Sequence, residues 1–319
     1  MNCLYNAMLA LTLILLSTWS TSVAQSTGSP SSPATVLLTV TVTNNRKEVV
    51  SGLPKSAFTI SDDKGTREIT SFNSEDAPIS IAMLFDISGS IRSPDGRNNT
   101  KFMAEALSHF VQRGHPANEY FIIGFNVKPY LLLDGTRDID AVTSLLQRLP
   151  SVQLRGNTAL YDACIFAVNR VTHGVFPKQI ILLISDGQEN VSQSTLDDLL
   201  RDLREKNVLV YALNTTMGLE SKINPFNTEG SQVLHELTSM TGGVSHRPFS
   251  MAEMRADLER IAIELRHQYS ISFSSAKEAS GSKWHPLRIK VSSPPANRRD
   301  EQKLSGRSRK GYYSATGRE

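Results

Sequence analysis

The spacing of hydrophobic residues changes along the chain. Between residues 36 and 43, leucine and valine alternate with threonine, which is typical of a half-buried β-strand. Shorter alternating segments continue to Phe72, on both sides of a turn at residues 62–65. This first region therefore predicts a β-meander.

A second pattern begins at Ile79. Residues 81–85 and 180–184 are continuously apolar, which indicates strands covered on both faces, as in parallel sheets flanked by helices. Other segments alternate with them, and we expect helices near residues 103–111, 142–149, 159–171, 196–203 and 254–265 and strands at 120–125, 127–133 and 208–213. This alternation predicts an α/β fold with a doubly wound, mainly parallel sheet over residues 78–267.

Two of the predicted helices carry capping signatures. Ser194 with Asp197 precedes one apolar stripe, and Ser250 with Glu253 precedes the stripe of the last long helix. In each case we expect the serine hydroxyl to accept a hydrogen bond from a backbone N–H of the first helical turn.

Alternating β segments return after the last predicted helix. They lie in residues 268–295, whereas the first β segments lie in residues 34–77. Each set is too small to bury a core of its own. We therefore expect the N-terminal and C-terminal strands to pair into a small β-sandwich-like element, into which the α/β domain is inserted.

The N-terminus has the form of an export signal. An apolar run at residues 7–16 is followed by small residues and by Ser-Val-Ala at 22–24, which signal peptidase accepts. We interpret residues 1–24 as a signal peptide, with an uncleaved anchor as the alternative because no Lys or Arg precedes the run. Residues 25–33 predict a flexible leader. The protein is expected to be exported to the periplasm or extracellular space, with no spanning segment after signal removal.

Composition narrows the class of protein. Hydrophobic residues make up 39% and charged residues 20% of the 319 residues, which excludes wholesale disorder and a multi-pass membrane protein. Much of the net charge of +3 lies in residues 296–319, interpreted as a solvated basic tail rather than a nucleic-acid-binding element, since no basic helix face accompanies it. Cys164 is the one thiol outside the signal, and we expect it in the core.

Three polar motifs stand where predicted strands or their connecting loops end. Asp86, Ser88 and Ser90 follow the first apolar strand, Thr158 precedes a helix, and Asp186 follows the second apolar strand. Because the carboxyl ends of parallel strands meet at one edge of the sheet, we expect these residues to converge there. Two carboxylates and three hydroxyls would form an all-oxygen site, which suits a hard cation such as Mg²⁺ or Mn²⁺.

Other interpretations of these residues remain open. Taken alone, Asp86, Ser88 and Ser90 also fit a capped turn before a helix. Ser88 lacks the Gly-x-Ser-x-Gly setting and the nearby His of a nucleophile, and Asp86 as a phosphoryl acceptor would be expected with another Asp at position 88. No catalytic residue is assigned, and we expect no enzyme activity. A divalent-metal-dependent hydrolase or phosphotransferase is the alternative.

The three motifs together resemble the metal-ion-dependent adhesion site of the von Willebrand factor type A (VWA) family. The resemblance implies that Ser88, Ser90 and Thr158 bind the metal directly, whereas Asp86 and Asp186 act mostly through water. A cation held by neutral hydroxyls keeps positive charge, so that an Asp or Glu of a protein partner can complete its coordination. The implied function is adhesion or protein–protein interaction, and a structural VWA domain with an idle site is the alternative.

The resemblance reaches further, and additional segments are similar to bacterial secreted VWA-related proteins described chiefly from acidobacteria. In those proteins, too, β segments flank the domain. Ile91 stands where Met is common and Asn157 where a second Gly is common, and neither change removes a metal-binding residue. The similar segments are residues 158–163, 241–243, 268–269 and 310–313.

The segment from Thr216 to Gly230 is long for a connection in this fold. It follows a predicted strand at the edge that carries the metal motifs, and loops on such a rim are held by a rigid sheet. We expect its apolar residues to help select the partner, and a surface loop without a function is the alternative. These residues are Met217, Leu219, Ile223 and Phe226.

Overall fold

A six-stranded sheet forms the centre of the structure. The computed structural model describes residues 35–88, 100–149, 156–216, 225–275, 283–293 and 303–314. In spatial order the strands are Ser245–His246 (β10), Val208–Asn214 (β9), Gln179–Ser185 (β8), Ser80–Asp86 (β5), Glu119–Phe125 (β6) and Pro129–Thr136 (β7). Neighbours are parallel except at β7, which runs antiparallel to β6. The prediction of a mainly parallel sheet is confirmed.

Helices cover both faces of this sheet. One face carries α1 (Thr100–Arg113), α2 (Ile139–Arg148) and α6 (Met251–Arg266), and the other carries α3 (Leu160–Val171), α4 (Leu196–Glu205) and α5 (Pro225–Thr241). Strands between two helical layers need apolar residues on both sides, which explains the continuous apolar runs of β5 and β8. Cys164 on α3 lies in this core, as expected, and its burial raises the pKa of the thiol to about 12.

The remaining strands form small antiparallel sheets. One sheet has the order β14-β1-β11-β4, where β1 is Thr35–Thr43, β4 is Ile69–Asn73, β11 is Tyr269–Ser274 and β14 is Ser305–Arg307. A second has the order β13-β2-β3, where β13 is Arg288–Val291, β2 is Phe58–Asp62 and β3 is Gly65–Arg67. A third pairs Trp284–Pro286 (β12) with Gly311–Tyr313 (β15), and a 3₁₀ turn at Lys55–Ala57 precedes β2.

These sheets share one hydrophobic core. Leu38 and Val40 of β1, Ile60 of β2 and Ile271 and Phe273 of β11 are all fully buried in it. Strands from before and after the α/β domain therefore pair, as expected from the two separate β segments, and form the flanking sandwich-like element. The domain boundaries given above remain a prediction.

Strand β1 is buried on both faces, whereas its alternation predicts a strand buried on one. Thr39 and Thr41 are 4% and 2% exposed. The Thr41 hydroxyl donates to the carboxylate of Glu264 on α6 at 3.0 Å, and Gln268 Nε2 donates to Thr41 Oγ1 at 2.9 Å. The α/β domain covers Thr41, whose hydroxyl is hydrogen-bonded to Glu264 and Gln268 there.

Residues 303–314, predicted as part of a solvated basic tail, are instead built into the fold. Strand β14 pairs with β1, and Arg307 forms an ion pair with Glu264. The Arg309 guanidinium donates to the Arg204 carbonyl at 2.5 Å, and burial lowers the pKa of Arg309 to about 10. The tail prediction is wrong for these residues because their side chains find partners in the α/β domain.

One of the two predicted helix caps is shifted. Thr195, not Ser194, is the N-cap of α4, and its hydroxyl exchanges hydrogen bonds with Asp198 in a capping box. Ser250 caps α6 as expected, accepting from the Glu253 N–H at 3.2 Å.

The N-terminal predictions lie outside the described residues. This applies to the signal peptide at 1–24 and to the leader at 25–33. Within the described part of the chain, no helix has both the length and the apolar character needed to cross a membrane.

Candidate metal centre

The predicted metal-binding residues lie where strands of the central sheet end. Asp86 is the last residue of β5, and Asp186 directly follows β8, its neighbour in the sheet. Because these strands are parallel, both carboxylates stand at the same edge. Ser88 follows Asp86 within the same loop, and Ser90 lies outside the described residues.

Asp86 is fully buried and accepts hydrogen bonds from two residues, Ser88 and Ser185. Its Oδ1 accepts from the Ser88 backbone N–H at 2.9 Å, and its Oδ2 accepts from the Ser185 hydroxyl at 3.1 Å. Burial raises the pKa of Asp86 to about 6, and repulsion from the Asp186 carboxylate adds to the rise. The pKa of Asp186 is also raised by burial, although its Oδ1 accepts from the Gln188 N–H at 3.0 Å.

This pair of carboxylates fits a cation. Among the described residues, no ion pair joins Asp86 or Asp186 to a Lys, Arg or His. A buried and a half-buried carboxylate that repel each other and lack a positive partner are costly to ionise. A divalent cation would remove that cost, and the oxygens of Asp86, Asp186, Ser88 and Thr158 are the donors that Mg²⁺ and Mn²⁺ prefer.

Thr158 is brought to the same edge by two neighbouring segments. Asn190, four residues after Asp186, accepts the Thr158 N–H on its Oδ1 at 2.7 Å and donates its own N–H to the Thr158 carbonyl at 3.0 Å. On the other side, the next residue, Ala159, donates its N–H to the carbonyl of Asn126 at 2.6 Å. Asn126 directly follows β6, which pairs with β5 at the level of Asp86.

The backbone of the loop that carries Asp186 lies very close to the backbone of helix α5. Gly187 has φ +81°, and a Cβ atom there would lie 2.2 Å from the carbonyl oxygen of Gly230 on α5. A Cβ on Gly230 would lie 2.4 Å from the Asp186 carbonyl oxygen. Only glycines permit this approach, so the position of Asp186 depends on both.

Both ends of the predicted partner-selecting loop adjoin this edge. Thr215 donates its N–H to the Ser185 carbonyl at 3.2 Å, and Gly230 packs against Asp186. Three of the named residues lie outside the described residues: Met217, Leu219 and Ile223. Phe226 falls in α5, but its side chain is not described.

Sequence reasoning missed several residues that shape the edge. Asn190 and Asn126 hold the Thr158 loop, although no motif or spacing marks them. Ser185 directly precedes Asp186 at the end of a predicted strand. Its place in the sequence could therefore have indicated a role at this edge, where its hydroxyl donates to Asp86. Within the described residues, the buried oxygens Asn126 Oδ1 and Thr215 Oγ1 have no hydrogen-bond partner.

A second acidic cluster lies in the flanking sheets. Ligand atoms of Asp62, Asp63 and His285 lie within 4.8 Å of one another. Asp62 already accepts from Arg67 Nε at 2.6 Å, and Asp63 lies 2.6 Å from His285 Nδ1. Positive or protonatable side chains of the chain thus surround these carboxylates, in contrast to Asp86 and Asp186.

Together, the fold and this edge define an α/β domain with a group of carboxylate and hydroxyl oxygens at the carboxyl ends of its strands. Residues 81–188 match the family model of the von Willebrand factor type A domain. The chain therefore contains a VWA domain, as the resemblance implied. This supports protein–protein interaction or adhesion as the broad class of function. No curated protein matches the chain.

Several solved structures are similar to the chain at low sequence identity. BatB, a conserved hypothetical protein from Bacteroides thetaiotaomicron, has 18% identity and a TM-score of 0.47 over 58% of this chain and 98% of that one. The von Willebrand factor type A structure from Catenulispora acidiphila has 12% identity and a TM-score of 0.47 over 82% and 70%. The PilB minor pilin from Streptococcus sanguinis has 10% identity and a TM-score of 0.49 over 61% and 63%.

Proposed function

We propose that this is an exported or envelope protein that binds a divalent cation and, through it, an acidic residue of a protein partner. The metal would be held by Ser88, Ser90 and Thr158, with Asp86 and Asp186 acting mostly through water. Mg²⁺ or Mn²⁺ would keep a coordination position for an Asp or Glu of the partner. No bond is made or broken in this proposal, which is one of adhesion without catalysis.

The pair formed by the buried Asp86 and the half-buried Asp186 carries the proposal. Asp86 and Asp186 occupy neighbouring strand ends, and burial raises the pKa of both. A structural pair of this kind would be expected to have a Lys or Arg beside it, and none forms an ion pair with either carboxylate in the described part of the chain. The surrounding hydroxyls are neutral, so that a bound cation would remain positively charged and would attract a carboxylate from outside.

The segment from Thr216 to Gly230 is proposed to select the partner through Met217, Leu219, Ile223 and Phe226. At the two ends of this segment, Thr215 donates its N–H to the Ser185 carbonyl and Gly230 packs against Asp186. A partner whose acidic residue reaches the metal would pass this loop. Replacing the loop is expected to change which protein binds while leaving Mg²⁺ affinity unchanged.

Metal binding is the first test. Calorimetric titration of the full chain with Mn²⁺ should give a single site in the wild type and none in Asp86→Ala. A capture experiment on the envelope fraction should then retain a partner in Mg²⁺ and lose it in EDTA or with Asp86→Ala. Equal capture in all three conditions, or a wild type that takes up no Mn²⁺, would contradict the proposal.

A further inference from the structure

The loop that carries Thr158 is held by hydrogen bonds from a segment distant in sequence rather than by bonds among its own residues. It leads into helix α3, whose N-cap, Ala159, makes no side-chain capping bond. An uncapped helix start leaves first-turn N–H groups without partners. In this protein a separate segment, residues 189–194, supplies those partners.

Three side chains of that segment reach the start of α3. Ser192 Oγ accepts from the N–H groups of Tyr161 and Asp162 at 3.1 and 3.2 Å, and Glu189 accepts from Tyr161 at 3.1 Å. The third, Asn190, bonds to Thr158 through its side chain and its backbone. The loops carrying Thr158 and Asp186 are thus joined into one unit.

Asn190 differs from its two neighbours in what it contacts. Ser192 and Glu189 serve the helix backbone beyond Thr158, whereas the Asn190 amide oxygen bonds to the backbone N–H of Thr158 itself at 2.7 Å. Thr158 is 6% exposed, so that water cannot readily replace this acceptor. The Asn190 side chain therefore sets where the Thr158 hydroxyl stands relative to Asp186.

We infer that Asn190 is a positioning residue for the metal, acting through Thr158 and touching no metal itself. This inference rests on the proposed function. Residues that orient metal-binding groups typically contribute about 10- to 100-fold in metal affinity when they are removed. A purely structural Asn190 would instead affect the stability of the start of α3 and leave the affinity of the folded protein unchanged.

Mn²⁺ titration of the full chain, at a temperature where each variant is folded, separates these roles. Asn190→Ala removes the acceptor and should weaken Mn²⁺ binding about 10-fold or more. Asn190→Asp keeps an acceptor oxygen at the same place and should stay within about 3-fold of the wild type. If Asn190→Ala does not fold, Asn190→Gln, which displaces the same amide by one methylene, takes its place and should weaken binding likewise.

Ser192→Ala is the matched control, because it removes hydrogen bonds from the same segment to the same helix start. It should lower the unfolding temperature in EDTA while leaving Mn²⁺ affinity within about 3-fold of the wild type. The inference is overturned if Asn190→Ala binds Mn²⁺ as the wild type does, or if Ser192→Ala weakens binding equally. In both cases the proposed function stands as long as Asp86→Ala abolishes binding. A wild type without Mn²⁺ binding overturns both.

Discussion

Asp86 is a buried carboxylate whose charge is disfavoured by burial and by Asp186. Asp86→Asn keeps the size of the side chain and removes the charge, so we expect the metal-free protein to become more stable at pH 7. A pKa raised to about 6 from 3.8 corresponds to at most about 3 kcal/mol, and an increase of about 1–3 kcal/mol in the free energy of unfolding is expected. Urea unfolding in EDTA measures it.

Addition of Mn²⁺ should reverse this order. A cation that binds only the folded state raises the unfolding midpoint with concentration, which we expect for the wild type and not for Asp86→Asn. If Asp86→Asn were less stable than the wild type in EDTA, the electrostatic account of the carboxylate pair would be wrong.

Gly187 tests whether backbone approach holds Asp186 in place. Gly187→Ala combines an unfavourable φ of +81° with a contact of 2.2 Å to Gly230, whereas Gly52→Ala has a similar φ of +75° and no atom within 4 Å. The control should lose about 1–2 kcal/mol from its unfavourable φ alone, and Gly187→Ala a further 1–3 kcal/mol from the contact. Chemical denaturation of both variants gives the difference. Equal losses would show that the close approach has no energetic importance.

At the scale of single residues, the sequence predicted the positions that stand at strand ends. Asp86 and Asp186 follow apolar runs, and such runs locate the carboxyl edge of a parallel sheet. Asn190 could not be found in the same way, because its role depends on a crossing with Thr158, 32 residues earlier. Spacing along the chain carries no information about such a crossing.

Lys178 joins the start of β8 to the end of α6. Its Nζ donates to the Leu265 carbonyl, and burial of the ammonium group lowers the pKa of Lys178 to about 7 from 10.5. Between these two values the unfolded chain binds more protons than the folded one, so this group makes stability rise as pH increases from about 7 to 10.5.

Lys178→Met should therefore be more stable than the wild type at pH 7 and should show a smaller rise in stability at alkaline pH. The expected gain at pH 7 is about 1–3 kcal/mol, because the lost bond to Leu265 offsets part of the desolvation. Urea unfolding at pH 7 and pH 10 measures both effects. Lys101→Met, on an exposed position of α1, is the control and should change neither. A wild-type pH dependence that survives in Lys178→Met would contradict this assignment.

Helix boundaries show how far sequence patterns reach at the scale of elements. The apolar stripe of α4 predicted its core face, including Leu199 and Leu203. Its cap was placed one residue early, because Ser194 and Thr195 are both favoured N-cap residues and local preference alone does not identify Thr195. The structure decides it: the Ser194 N–H bonds to Asp162 on α3 at 2.9 Å, which leaves Thr195 to start the helix.

For the whole molecule, Glu264 links the α/β domain to the flanking sheets. It accepts hydrogen bonds from Thr41, Tyr211 and Arg307, and its side chain is 12% exposed. Arg307→Met removes the ion-pair partner of this carboxylate and should reduce the free energy of unfolding by about 2–3 kcal/mol, since Arg307 itself is partly exposed.

Adding Glu264→Gln to Arg307→Met should recover part of that loss, because the buried charge is then gone. The coupling between the two positions is obtained from urea unfolding of both single variants and the double variant, and should be about 1–2 kcal/mol. Additive effects of the two substitutions would mean that Arg307 and Glu264 contribute independently.

The α/β domain and the pairing of the flanking strands could be predicted from the sequence, whereas the place of residues 303–314 could not. The two β segments bracketing one domain left few ways to bury their apolar faces. Residues 303–314 contain few apolar residues and several basic ones, a composition that by itself indicates solvent exposure. Their partners, Glu264 and the Arg204 carbonyl, belong to elements that only the complete fold brings near.

The place of β1 between β11 and β14 also bears on how the protein is made. Its partners are synthesised roughly 230 and 260 residues after it, and contacts so distant in sequence form late. On the ribosome, a strand with fully apolar alternate positions would thus wait unpaired until residues 269–307 have emerged. Such a strand invites pairing with other chains. Chaperone protection of β1 during biosynthesis, and rapid disposal of polypeptides that stop short of residue 303, are natural consequences of this arrangement.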